Sequence, residues 1–328
     1  MRLFKKKVVV SSAVAAPDEV DPGRPAPTQP PPAGSPEAAG EPEDLSVTEF
    51  APADVGLSLA TRLAAIDQAE LTAAQRDIAS PGGKGLLDKL RAMEGAVWVL
   101  GSVEDPVGWT SLELLPGAGI VRGTVLPDHR GAGLARELLA APLLERARES
   151  GVRELRATVF ADSPAETLLT DAGWQPMDSP DYVIRRLDLR TTVERRFRIV
   201  EDARQFAAGY TIARAERFAD EHEQPEGAAH FRVVARLGAT ETGYSELVVY
   251  DEMPEFGLEG DTFVQPEHRG HRLGLLMRAE IIRWVEFELS RVRVVQTRTP
   301  VDDMHTLAQL DRLGARGAGF RRDLHVML

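Results

Sequence analysis

Cysteine is absent from all 328 residues, which excludes disulfides, thiolate zinc sites and covalent catalysis through a thiol. The same absence fits a reducing compartment, so a cytoplasmic location is expected. No apolar run approaches the ~20 residues needed to span a bilayer, and no membrane partner is expected. A surplus of basic side chains is also missing: 39 Lys and Arg face 51 Asp and Glu, for a net charge of −12. Binding a phosphate backbone needs clustered Lys and Arg, so nucleic acid is not an expected partner, whereas a cationic small molecule suits the acidic body.

Residues 17–44 hold nine prolines and almost no large apolar side chain. Such a stretch cannot bury enough surface to offset the entropy of ordering, so 1–44 is expected to be a disordered Pro-rich N-terminal tail. Its first sixteen residues have a basic start, a short apolar run and small residues. That is a weak outline of a secretory signal, interrupted by Ser11 and Ser12.

The body of the chain says one thing twice. "VLPDHRGAGL" begins at Val125 and "VQPEHRGHRL" at Val264, and one offset of 139 superimposes Val, Pro, an acid, His, Arg, Gly and Leu. The surrounding patterns repeat as well. "AVWVLGSV", "VGWTSLELL" and "AGIVRGTVL" predict three strands leading into the first loop, and "FRVVARLG", "SELVVY" and "EGDTFV" lead into the second. A helix is predicted after each loop. The first is kinked at Pro142, and the second is striped with Leu273, Leu276, Met277, Ile281, Trp284 and Val285. Strand, helix and strand then follow in both halves. The fold class is therefore α/β (α+β), with two mixed-sheet domains at 45–190 and 191–328 joined near Leu189 to Arg198. Two helical runs, from Val55 and up to Met93, precede the first set of strands, and "RAERFADEH" predicts one short helix in the second half.

A strand that ends in a Gly-containing loop and turns at once into a helix aims successive backbone N–H groups at one point, with the positive helix terminus behind them. That arrangement cradles a phosphate. Gly131 and Gly133 let the backbone approach an anion, and Arg130 adds a charge-assisted bond. There is no Gly-Lys-Ser/Thr, and the third glycine of a dinucleotide fingerprint is missing.

Arg130, Gly131, Ala132, Gly133, Leu134 and Ala135 resemble the pyrophosphate loop of the GNAT superfamily of acyl-CoA N-acyltransferases. Arg269, Gly270, His271, Arg272, Leu273 and Gly274 match it with one departure, Arg272 standing where the family usually has glycine. The resemblance implies a tandem GNAT protein that moves acetyl from acetyl-CoA to a primary amine, of a small molecule or a peptide, by direct transfer. Acetyl-CoA is then the cosubstrate, the amine acceptor is the second partner, no metal takes part, and a homo-oligomer is compatible with the pattern. It also implies that backbone groups following Thr124 (Val125, Leu126) and Phe263 with Val264 line the thioester. Mycothiol-synthase-like acetylation of an amino-sugar thiol precursor and acyl-CoA binding without turnover are the alternatives.

Direct transfer needs a group that takes a proton from an amine whose pKa is about 10. Glu259 and Asp261, two apart on the strand before the second loop, share one face and are the candidates there, with Asp261 preferred. A bulge at Gly260 and Asp261 is the structural alternative. The corresponding first-half strand has no acid, leaving Glu113 on the strand before it. His129 and His268 are expected to cap turns or face solvent, because the adjoining Arg disfavours an imidazolium. His305 lies near the place where the family often has Tyr or Asn.

Overall fold

The computed structural model describes residues 6–7 (backbone only), 45–74, 78–80, 82–130, 133, 142–215 and 227–328. All of the expected 1–44 tail except Lys6 and Lys7, which are paired as a strand, lies outside the described residues, as do the early part of the helix after the first loop and most of "RAERFADEH". Strands β1 (Lys6–Lys7) and β2 (Ser46–Phe50) pair antiparallel. Helices α1 (Leu57–Ala73) and α2 (Gly83–Ala92) follow, then the meander β3 (Gly95–Gly101), β4 (Pro106–Leu115) and β5 (Ala118–Val125). After the first loop come α3 (Pro142–Glu149), β6 (Glu154–Phe160), α4 (Pro164–Asp171), β7 (Gln175–Pro176) and β8 (Tyr182–Asp188).

The second half opens with α5 (Val193–Phe206) and β9 (Tyr210–Arg214), two elements that its polar, Arg-rich sequence did not predict. The predicted join is thus the start of a helix. Its buried Arg196 donates to the Leu189 carbonyl at 3.1 Å and pairs with Glu286 at 2.5 Å, which fastens the polar helix beside a thin apolar stripe of Ile199, Val200 and Ala203. The meander β10 (Ala228–Leu237), β11 (Thr240–Tyr250) and β12 (Phe256–Val264) leads into the second loop. Helix α6 (Leu273–Glu288), β13 (Val294–Pro300), α7 (Met304–Leu313) and β14 (Arg316–Met327) complete the chain.

Alternation along the strands buries both faces of the sheet. Val97, Val99 and Trp109 lie under Leu59, Leu63 and Ile66 of α1 and Leu86, Leu87 and Leu90 of α2. Trp98, Leu112 and Val121 face Leu143 and Ala147 of α3 on the other side. In the second half Leu273, Leu276, Met277, Ile281 and Val285 of α6 pack over Val233, Ala235 and Leu247, with Trp284 at the margin against the Phe231 ring. Among the described residues no helix is long and apolar enough to cross a membrane.

All the described strands join one sheet, in the order β1-β2-β3-β4-β5-β6-β14-β8-β13-β12-β11-β10-β9, with β7 beside β14. The two closing strands have changed places. β8, at the end of the first half, pairs with β13 from Val294↔Asp188 to Pro300↔Tyr182, while β14, at the end of the second, pairs with β6 from Arg321↔Phe160 to Met327↔Glu154. β8 and β14 also pair with each other and weld the halves together. The sequence halves 45–190 and 191–328 therefore differ from the packed units in space by one reciprocally exchanged strand, an intramolecular counterpart of domain swapping.

The halves also differ in their covering helices. Forty-four residues separate Phe50 from Gly95 and form α1 and α2, whereas thirteen separate Arg214 from Ala228. Thirteen residues rise ~20 Å as helix, too few for two helices of that size and their turns.

Candidate active site

The centre of each half is a parallel strand pair that comes apart. β5 and β6 are in register from Ala118↔Glu154 to Val121↔Ala157 and unpaired beyond. β12 and β13 pair from Phe256↔Val294 to Leu258↔Gln296 and then diverge. Arg122 to Val125 are thus bonded to β4 on one side only, as are most of the residues from Glu259 to Val264 to β11. An extended chain with alternating amides can add to such an edge like a strand.

The described residues of the two loops that follow share their geometry. Short 3-10 turns run from Pro127 to His129 and from Pro266 to His268. Arg130 Nε donates to the Val125 carbonyl at 3.3 Å, and Arg269 Nε donates to the Val264 carbonyl at 3.2 Å, one offset of 139 apart. The backbone equivalence extends to residues that differ chemically: Gly133 has φ +77° and Arg272 has φ +56°, both left-handed. Arg272 meets the steric demand that glycine meets freely in the first loop. Its guanidinium lies 3.5 Å over the Phe206 ring. It also forms the N-cap of α6 without a side-chain cap, so the first N–H groups of α6 face the loop.

Local contacts hold each loop. Arg130 pairs with Glu70 of α1. In the second half His268 Nδ1 and the Tyr210 hydroxyl are hydrogen-bonded at 2.9 Å, and His271 Nδ1 lies 3.2 Å from the Phe206 carbonyl. Gly270 has φ +87°, and Leu273 and Gly274 are buried where α6 begins. Phe263 is exposed, with its ring 5.9 Å from that of Tyr244. Gly131, Ala132, Leu134 and Ala135 lie outside the described residues.

The three carboxylates singled out from sequence have different surroundings. Glu259 is buried and paired with Arg278, and it also accepts from Thr262 at 3.3 Å. Arg278 in turn donates to Gln309 at 2.5 Å, and Gln309 bonds His305 at 2.7 Å. Asp261 is exposed, and no hydrogen bond or ion pair engages it among the described residues. It sits on the anticipated bulge: Leu247 faces Glu259 and Ser245 faces Thr262, so β12 has one residue more than β11 over this span. The first half has no such bulge, its ladder running unbroken from Gly108↔Val125 to Leu115↔Ala118. Glu113 pairs with Arg122 at 2.9 Å.

A fourth carboxylate was missed. Asp67 of α1 is half-buried and accepts from Trp109 Nε1 at 3.0 Å. Trp109 stands opposite Thr124 in the ladder, so Asp67 lies level with the splayed end of β5. Burial pushes its pKa up from 3.8 to about 7, against the lowering effects of the Trp109 hydrogen bond, Arg321 and Lys89. Across the cleft the ammonium of Lys89 is pushed down, first by burial and then by Arg122 and Arg321. Much of the Lys89 side chain is nevertheless solvent-exposed. A sequence signal did exist: Leu63, Asp67 and Leu71 follow each other at four-residue spacing, so an acid interrupts an otherwise buried helical stripe.

Residues 64–170 match the acetyltransferase (GNAT) family. No curated protein matches the chain. Among solved structures, a tandem GNAT protein from the clavulanic acid biosynthesis pathway superposes with a TM-score of 0.70 at 23% identity, covering 86% of this chain and 98% of that one. A GCN5-related N-acetyltransferase from Sphaerobacter thermophilus gives 0.58 at 14% identity over 87% and 96%. A protein from Pyrococcus horikoshii gives 0.51 at 9% identity over 90% and 94%. The fold is thus that of a tandem GNAT protein. Its first half carries the family's acetyltransferase pattern.

Proposed function

We propose that the chain transfers an acetyl group from acetyl-CoA to the nitrogen of a primary amine, and that the first half performs the transfer. The observation carrying this reading is Asp67, hydrogen-bonded to Trp109 at the level where β5 leaves β6. The CoA pyrophosphate would rest on the loop from Arg130 to Gly133, and the pantetheine arm would add to the free edge of β5. The thioester would then lie beside the backbone groups after Thr124. The amine attacks the carbonyl carbon, a C–N bond forms, the C–S bond breaks, and Asp67 takes the proton released from nitrogen. A carboxyl poised near pH 7 suits that task better than an ordinary aspartate. Backbone N–H groups at Val125 and Leu126 are the candidates for stabilising charge on the carbonyl oxygen.

In this reading Glu259 is a strut, because its carboxylate already balances Arg278 inside the second half. Glu113 balances Arg122 in the same way. A second reading places transfer in the second half with Asp261 as base, favoured by that side chain's freedom on the bulge. The test is thiol release from acetyl-CoA with a panel of primary amines, with products weighed by mass spectrometry. Acetylated amine is expected from the wild type and from Asp261→Asn, but not from Asp67→Asn, which should still bind CoA. Loss in Asp261→Asn alone would move the chemistry to the second half. Binding without turnover across the panel would leave an acyl-CoA-binding protein.

A further inference from the structure

In the second half, side chains cross the route from the loop to the open edge of β12. Strand β12 runs into α6 and β13 into α7, and both helices pack on one face of the sheet, where Leu273, Leu310 and Leu313 share a core with Leu247 and Val295. An arm reaching from a pyrophosphate at the start of α6 to the free edge of β12 must therefore pass between the first turn of α6 and α7. That gap is occupied. Arg278 of α6 donates to Gln309 of α7 at 2.5 Å, and a methyl group added at Gly274 would lie 3.2 Å from Gln309 Oε1, closer than ordinary contact. Arg278 carries the crossing on to Glu259, the first residue of β12 beyond its last bridge to β13. The two side chains of that pair are only 8% and 7% exposed, so the crossing is an interior one. On the opposite side of the gap, buried Thr297 and Thr299 of β13 bond each other at 3.1 Å.

The first half has apolar residues at the matching positions. Leu112 and Leu247 each stand four residues after the glycine opposite Val125 or Val264, and Leu112 opposes Val121 where Leu247 opposes Glu259. Val121 thus replaces the carboxylate. The offset of 139 that aligns the loops puts Leu139 at the place of Arg278. The helix ends align Leu168 with Gln309, since the Trp174 N–H donates to Leu169 as the Ala315 N–H donates to Leu310. Hydrocarbon side chains cannot form such a brace.

We infer that the second loop, for all its backbone likeness to the first, takes no acyl-CoA: Gln309, Arg278 and Glu259 brace its slot shut, and the chain carries one CoA. For an arm to enter, Gln309 must leave both Gly274 and Arg278, and a buried guanidinium loses a charge-assisted bond. A bond of that kind corresponds to about ten- to a hundredfold in affinity. A transfer centred on Asp261 would need the arm that this brace keeps out.

Native mass spectrometry of the full chain counts bound CoA, and hydrogen exchange locates it. With saturating CoA the wild type should carry one molecule, and the amides of residues 259–264 should exchange at unchanged rates. Gln309→Ala should carry two, the second bound about ten- to a hundredfold tighter than any second molecule on the wild type, with new protection at 259–264. Gln309→Leu, which copies the first half, is the second variant should Gln309→Ala fail to fold. Two molecules on the wild type, protection of its residues 259–264, or no molecule gained by either variant overturns the inference. A wild type that binds none while Gln309→Ala binds one sustains it and removes the cosubstrate from the transfer reading instead.

Discussion

Replacing Asp67 by Asn should impair turnover and stabilise the fold at the same time, and the pH dependence separates the two effects. Folded Asp67 titrates near 7 and its ordinary value is 3.8. Each pH unit of difference is worth ~1.4 kcal/mol, so the shift corresponds to ~4 kcal/mol, an upper bound because the side chain keeps some contact with water. Between those two values the unfolded chain has lost a proton that the folded chain retains. Stability therefore falls as pH rises from about 4 to about 7, and it levels off above. Asparagine never ionises, and its carbonyl oxygen can still accept from Trp109.

Urea denaturation of Asp67→Asn should thus match the wild type near pH 4 and exceed it near pH 8 by as much as ~4 kcal/mol. In the wild type kcat/KM should climb as pH passes through about 7, where the carboxyl becomes a base. In the variant the rate should drop by roughly 10²- to 10⁴-fold, with CoA affinity retained. No stabilisation at pH 8 would mean that the carboxyl is not in the environment described. Stabilisation with full activity would leave Asp67 buried yet uninvolved in proton transfer.

Three further outcomes follow from the geometry. Glu259→Gln leaves Arg278 unbalanced in a buried site and should cost about 3–5 kcal/mol by urea unfolding, whereas Glu259→Leu combined with Arg278→Met should cost much less than the two single changes summed. Arg272→Gly removes a left-handed non-glycine residue, a relief of ~1–2 kcal/mol, and loses the stack on Phe206, worth ~0.5–1 kcal/mol. Its stability should change by less than about 1.5 kcal/mol, and a larger loss would show that the side chain does more than lie on that ring. Finally, fragments 1–190 and 191–328 produced separately should each fail to unfold cooperatively, and produced together they should regain one cooperative transition, as read by circular dichroism. Independent folding of either fragment would refute the reciprocal strand exchange.

The repeat was legible because backbone geometry was written in residue types that few other structures require. Proline after a strand, Arg and Gly at one offset specify a turn and a bond back to the strand, and both occur twice. The strand exchange was not legible. Alternation in "YVIRRLDL" and "LHVML" tells which side chains are buried, but backbone pairing carries no residue code, and either neighbour buries the same face equally well. Helix α5 escaped notice because its anchor is the buried Arg196, so the usual apolar stripe is thin. Asp67 was not legible because nothing in the alternation of the strands beside the loop points to a helical residue some forty positions before Trp109.

The exchange also bears on why two unequal halves share one sheet. The first half has the covering helices and the poised carboxyl, yet its strand β6 would be a bare edge without β14, and its cleft would lack Arg321. Contacts return the other way: the Ala79 N–H donates to Gln296 at 2.8 Å, where β12 and β13 part, and Glu252 receives the backbone N–H groups of Lys84 and Gly85 at the start of α2. Glu252 thereby places a negative charge at the helix terminus that positions Lys89. A second half with no turnover of its own would still supply a strand, a guanidinium and a helix cap to the first, so damage to its fold should appear as lost chemistry in the other half.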